Sequence, residues 1–108
     1  MAIPKPGRPV RGSRTGGPVM AIFDLLGRRW AMGIVWQLAD GPRTFTELQA
    51  RCSSISPTIL STRIKDLTEA RLVERTLEGY RLTPAGQELF AILEPFKEWA
   101  ASWAKGLE

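Results

Sequence analysis

Leu60, Ile64 and Leu67 recur at intervals of four and three residues, which places them on one face of a helix. Thr58, Thr62 and Lys65 take the opposite face, with Ser61 and Arg63 on its flanks. Ser56 and Pro57 open this helix as an N-cap residue and the one helical position that tolerates proline. Upstream, Val19, Ile22, Phe23 and Leu26 have helical spacing behind Pro18, and Gly27 breaks the pattern. A second helix, apolar on most sides, is predicted from Arg28 to about Ala39, ended by Asp40-Gly41-Pro42. Thr44 and Glu47 then fit a capping box that starts a short helix reaching about Cys52. Short β-prone runs at 72–76 and 80–82 enclose Leu77-Glu78-Gly79 and predict a hairpin. Thr83-Pro84 opens a last helix to about Lys105, which Pro95 must bend or interrupt.

Only Ser53-Ser54-Ile55 separate the short helix from Ser56, so the two form a helix-turn-helix, and the hairpin follows it directly. The fold class is therefore mainly α with a small β-hairpin wing, a winged helix-turn-helix. A helix whose outer face holds hydroxyls and cations suits the major groove, where side chains must approach base edges and phosphates. An ordinary solvated face is the alternative for that helix taken alone. The last helix carries a long stripe that includes Leu89, Leu93, Phe96, Trp99 and Trp103, more than so small a domain can cover. A homodimer through the first and last helices would bury it, with Val19, Ile22 and Phe23 on the other helix joining the interface. The alternative is a last helix folded back on its own domain.

The chain has 108 residues, room for one domain, assigned to residues 18–106. No apolar run approaches the ~20 residues of a membrane span. One cysteine and no histidine argue against an intramolecular disulfide and a zinc site, and imply a reducing, cytoplasmic location with no cofactor. Cys52 is expected to pack rather than react, since a helix C-terminus disfavours a thiolate. Residues 1–17 hold Lys5, Arg8, Arg11 and Arg14 without an acid, while the remainder has eleven basic and eleven acidic residues. That distribution predicts a flexible basic arm suited to a polyanion. Lys5-Pro6-Gly7-Arg8-Pro9 is similar to the centre of AT-hook peptides, which lie in the minor groove, though a solvated tail would have the same composition. A glycine-rich phosphate loop, a metal-ligand cluster and paired carboxylates are all missing from the sequence, so an enzyme is not expected.

Five segments stand out together: Leu25-Leu26-Gly27-Arg28-Arg29-Trp30, Asp40-Gly41-Pro42-Arg43-Thr44-Phe45-Thr46-Glu47-Leu48, Ile55-Ser56-Pro57-Thr58-Ile59-Leu60-Ser61-Thr62-Arg63, Leu72-Val73-Glu74-Arg75 and Leu82-Thr83-Pro84-Ala85-Gly86. In combination they resemble the HxlR-type transcriptional regulators, a branch of the MarR-like winged helix proteins. The resemblance implies a bacterial-type regulator that binds double-stranded DNA as a homodimer on an inverted-repeat operator. It places Ser56, Pro57, Thr58, Ser61, Thr62 and Lys65 on the recognition helix and makes Arg43 and Arg75 phosphate contacts. Thr44, Arg63, Arg81 and the arm's Arg8 and Arg11 complete the expected DNA-binding set. Two features depart from the family. Its redox- and electrophile-sensing members have cysteine where this chain has Gly17, so that mechanism does not carry over, and the wing loop is short. The basic arm is expected to take over the minor-groove role of the wing. A winged helix used for protein interaction and a non-specific architectural DNA binder remain the alternatives. The four tryptophans leave room for a small-molecule effector, although core and dimer contacts are the commoner use.

Overall fold

The computed structural model describes residues 3–53 and 55–108. Its elements follow in the order α1 (Pro18–Leu26), α2 (Ala31–Gln37), α3 (Phe45–Arg51), α4 (Pro57–Glu69), β1 (Val73–Thr76), β2 (Gly79–Leu82), α5 (Pro84–Leu93) and α6 (Phe96–Gly106). Three starts obey the capping rules read from the sequence. Ser56 Oγ accepts from the Ile59 amide, Thr83 Oγ1 accepts from the Gly86 amide, and Thr44 with Glu47 closes a reciprocal capping box. Ser54, Met1 and Ala2 lie outside the described residues.

The core gathers Leu25, Ile34, Val35, Leu38, Leu48, Leu60, Ile64, Leu67, Val73 and Leu82, so every predicted apolar residue of α4 is buried. Cys52 belongs to the same cluster. Strands β1 and β2 pair antiparallel with Val73 opposite Leu82 and Thr76 opposite Gly79. The Arg43 backbone adds a bridge to Tyr80 through two hydrogen bonds, 2.9 and 2.8 Å long, so the entrance to α3 is fastened to the wing. Gly79 is required there: its φ is +125°, and a Cβ would collide with the Arg43 carbonyl.

Helix α2 begins three residues later than its apolar pattern predicts, at Ala31 rather than Arg28. Trp30 precedes it with φ +76°, and the Arg29 carbonyl is occupied by Arg63 Nε at 2.8 Å, so the segment before Trp30 is held by tertiary contacts instead of a helical ladder. The predicted last helix is two helices, divided at Glu94–Pro95 as proline chemistry requires. Helix α6 has no buried residue; Phe96, Trp99 and Trp103 are each more than half exposed, and the Trp99 and Trp103 rings stack with centroids 6.1 Å apart. Val19 and Phe23 on α1 are likewise exposed. Ile22 and Leu89 instead pack against the core of their own domain. Among the described residues no helix is long and apolar enough to cross a membrane.

Residues 3–17 turn back on themselves through Gly7 N–H to the Gly16 carbonyl (2.8 Å) and paired bonds between Val10 and Ser13. Ile3 packs against the core, and the Arg11 amide donates to Asp24 on α1 at 3.0 Å.

Candidate nucleic-acid interface

Helix α4 presents Ser56, Pro57, Thr58, Ser61, Thr62 and Lys65 to solvent on the side away from Leu60, Ile64 and Leu67. The face is one surface because the 3.6-residue repeat separates it from the buried stripe. Its hydroxyls are not equivalent. Thr62 donates its hydroxyl proton to the Thr58 carbonyl at 2.9 Å, leaving lone pairs and a methyl group to face outward. Ser61 and Lys65 keep their donors for a partner.

Between α4 and the wing runs a groove of about 620 Å³ lined by Phe45, Ser61, Thr62, Lys65, Arg75 and Tyr80, with Glu69 at one side. The Arg75 guanidinium lies over the Tyr80 ring, 5.7 Å from its centroid, which fixes the charge at the groove wall while leaving its N–H edges available. Lys65 and Arg75 thus face one opening from two different elements.

The remaining expected cations other than Arg8 already have acidic partners. Arg43 Nη2 donates to Asp40 at 2.8 Å, and Arg81 Nε donates to Glu74 at 2.9 Å across the hairpin. Arg11 sits 3.5 Å from Asp24. Arg63 is turned away from the polar face: Nη1 meets Asp66 at 3.0 Å and Nε meets the Arg29 carbonyl. Thr44 spends its side chain on the capping box. Arg8 is exposed on the arm. The groove therefore unites Ser61, Thr62, Lys65 and Arg75, while Arg43, Arg63 and Arg81 make intramolecular pairs around it.

Hydrogen bonding and charge also set the protonation of the flanks. The Arg43 hydrogen bond holds the Asp40 carboxyl below its ordinary range, and the Thr44 amide does the same for Glu47. Burial pushes the Cys52 thiol up, which favours the thiol over the nucleophilic thiolate.

Sequence reasoning missed Asp66, Arg28 and Tyr80. Asp66 is only 4% exposed and bridges Arg28 at 3.1 Å and Arg63 at 3.0 Å. A signal existed, since a carboxylate beside Leu67 on the apolar side of a helix, three residues after an arginine, must be paired if it is to be buried. The tryptophans are dispersed. Trp30 adjoins Arg29, Trp36 meets Phe90 edge to face, and Trp99 and Trp103 stack on α6.

Residues 25–108 match the model of a family described as HxlR-like helix-turn-helix. The chain is 34% identical over 87 residues to the HTH-type transcriptional regulator YvaP of Bacillus subtilis, covering 74% of this chain and 81% of that one. Quinone-bound YodB from B. subtilis superposes with a TM-score of 0.73 at 35% identity, over 79% of this chain and 97% of that one. A possible HxlR family transcriptional factor from Thermoplasma volcanium gives a TM-score of 0.72 at 32% identity, over 82% and 85% of the two chains.

Proposed function

The chain belongs to the HxlR-like helix-turn-helix family of DNA-binding transcriptional regulators, and from that premise we propose that it works as a homodimer on an inverted-repeat operator. The observation that carries the DNA half of this reading is the groove where Ser61, Thr62 and Lys65 of α4 face Arg75 of the wing. In this reading α4 enters the major groove, Ser56, Thr58, Ser61 and Thr62 meet base edges or nearby backbone, and Lys65 and Arg75 take phosphates. Arg43, Arg63 and Arg81 support the surface through their pairs with Asp40, Asp66 and Glu74.

The dimer half rests on α6 and α1. Phe96, Trp99 and Trp103 with Val19 and Phe23 expose large apolar side chains that a second copy would cover. Two such protomers would present their α4 helices to half-sites about one helical turn, ~34 Å, or a multiple apart. Leu93 belongs to the same proposed interface, while Ile22 and Leu89 support it from within the domain. Such a regulator acts in the cytoplasm, on the nucleoid.

Selection from a pool of random duplexes at two salt concentrations tests the proposal. Enrichment of an inverted repeat, lost when Thr62 and Lys65 become alanine, is the expected result. Binding that falls steeply with salt but enriches no sequence would replace it with an architectural role. Binding to no duplex at low salt would leave a protein-interaction module.

A further inference from the structure

Thr62 borders two openings. On one side lies the groove shared with the wing, and on the other a second cavity of about 580 Å³ formed with Arg11, Arg28, Arg29, Arg63 and the two carboxylates Asp24 and Asp66. The second cavity joins three parts of the chain that are far apart in sequence: the N-terminal segment, the turn between α1 and α2, and α4. Four arginines and two carboxylates line it, a surplus of positive charge. Asp66 is engaged by Arg28 and Arg63, and Asp24 by Arg11, so the carboxylates fix the arginines in place. Arg29 is exposed, its backbone pinned by Arg63 and its guanidinium 5.7 Å from the Trp30 ring centroid.

A helix lying in the major groove, about 12 Å wide, has a phosphate strand on each side. The wing-side groove with Lys65 and Arg75 serves one strand only. Resting on the reading of α4 as the recognition helix, we propose that the arginine cavity is a second phosphate site, gripping the DNA strand on the side opposite the wing. Arg29 and Arg11 are its phosphate-binding residues, because guanidinium forks match phosphate oxygens in pairs. Arg63 and Asp66 are positioning residues that hold the turn bearing Arg29 against α4.

The test uses the full chain, a fluorescent duplex selected by it from a random pool, and an unrelated duplex of equal length, titrated across a salt series. Arg29→Ala and Arg11→Ala should each weaken binding of both duplexes to a similar degree, roughly tenfold at low salt, and lower the slope of log affinity against log salt by about 1. Arg29→Lys should keep most of the slope, and Lys97→Ala on α6 should behave as the parent. A thermal melt confirms that each variant is folded. Parental affinity and slope in both arginine variants, with selective binding by the parent, would overturn the second site alone. A parent that binds no duplex would overturn the regulator reading and this site together. Titration with inorganic phosphate alone separates the two sources of the anion: micromolar binding abolished by Arg29→Ala would make the cavity a small-anion site and overturn the strand assignment.

Discussion

Arg63 and Asp66 face each other one turn apart on α4, 3.0 Å from Nη1 to Oδ2, with the carboxylate almost completely buried. Arg28 reaches the same oxygen from the α1–α2 turn at 3.1 Å. The pair therefore ties α4, the proposed recognition helix, to the segment that precedes α2, and it turns Arg63, expected among the DNA contacts, away from the polar face of that helix. Removing one partner of such a buried network leaves charge without compensation. Asp66→Ala should cost about 2–4 kcal/mol in chemical denaturation, whereas Arg63→Ala, which leaves Arg28 on Asp66, should cost less. Equal midpoints for Asp66→Ala and the parent would show the network to be without weight.

Acid should weaken the entrance to α3. Glu47 accepts from the Thr44 amide at 2.8 Å, and this bond holds its carboxyl below the ordinary value of 4.5. A depressed native pKa gives stability that is present above the unfolded value and lost as pH falls through the folded one. Asp40, held down by Arg43, acts in the same direction. Urea midpoints compared at neutral pH and near pH 3 should differ less for Glu47→Gln than for the parent, because the amide cannot titrate.

Surface aromatics on α6 are expected to control association and leave the fold unchanged. Trp99 and Trp103 are 57% and 56% exposed, so Trp99→Ala with Trp103→Ala removes little from the core of its own domain. Sedimentation should report a dimer for the parent and a shift toward monomer for the double variant, with an unchanged circular dichroism spectrum. A monomeric parent at tens of micromolar would dispose of the proposed interface.

Gly86 reverses a helix-propensity argument. Alanine is the better helix former by roughly 1 kcal/mol, yet a Cβ at this buried position of α5 would run into the Leu72 carbonyl, which accepts the Thr83 amide at 3.0 Å. Gly86→Ala should therefore lower stability by about 1–3 kcal/mol, as overpacking does. A raised melting temperature would mean that the backbone yields easily there.

Deletion of residues 2–16 should reduce DNA affinity and salt slope together, because it removes Lys5, Arg8, Arg11 and Arg14. The wing turn comprises only Leu77 and Glu78 between the paired strands, short enough that the arm is expected to supply the minor-groove contact. Since Ile3 packs on the core, a melt must accompany the binding curve. Unchanged affinity in a folded deletion variant would end the arm's assigned role.

The sequence by itself determined the elements whose causes are local. Ser56, Thr44 and Thr83 cap their helices, the Leu60–Ile64–Leu67 spacing selects the buried face of α4, and Pro95 divides the C-terminal helices, all through interactions within a few residues. The polar face of α4 was legible for the same reason, as the complement of its buried one. Asp40 and Asp66 lie three residues from Arg43 and Arg63, so those pairs were within local reach, and tertiary structure decided which of them form and what completes them. Arg43, Arg63 and Arg81 have the composition of DNA contacts, but whether a guanidinium reaches outward depends on which carboxylate folding brings beside it. For Arg63 the decisive partners include the Arg29 carbonyl, 34 residues away, and no local periodicity encodes that approach. The late start of α2 and the cavity that unites Arg11, Arg29 and Thr62 have the same origin: contacts between segments whose proximity exists only after the core has closed.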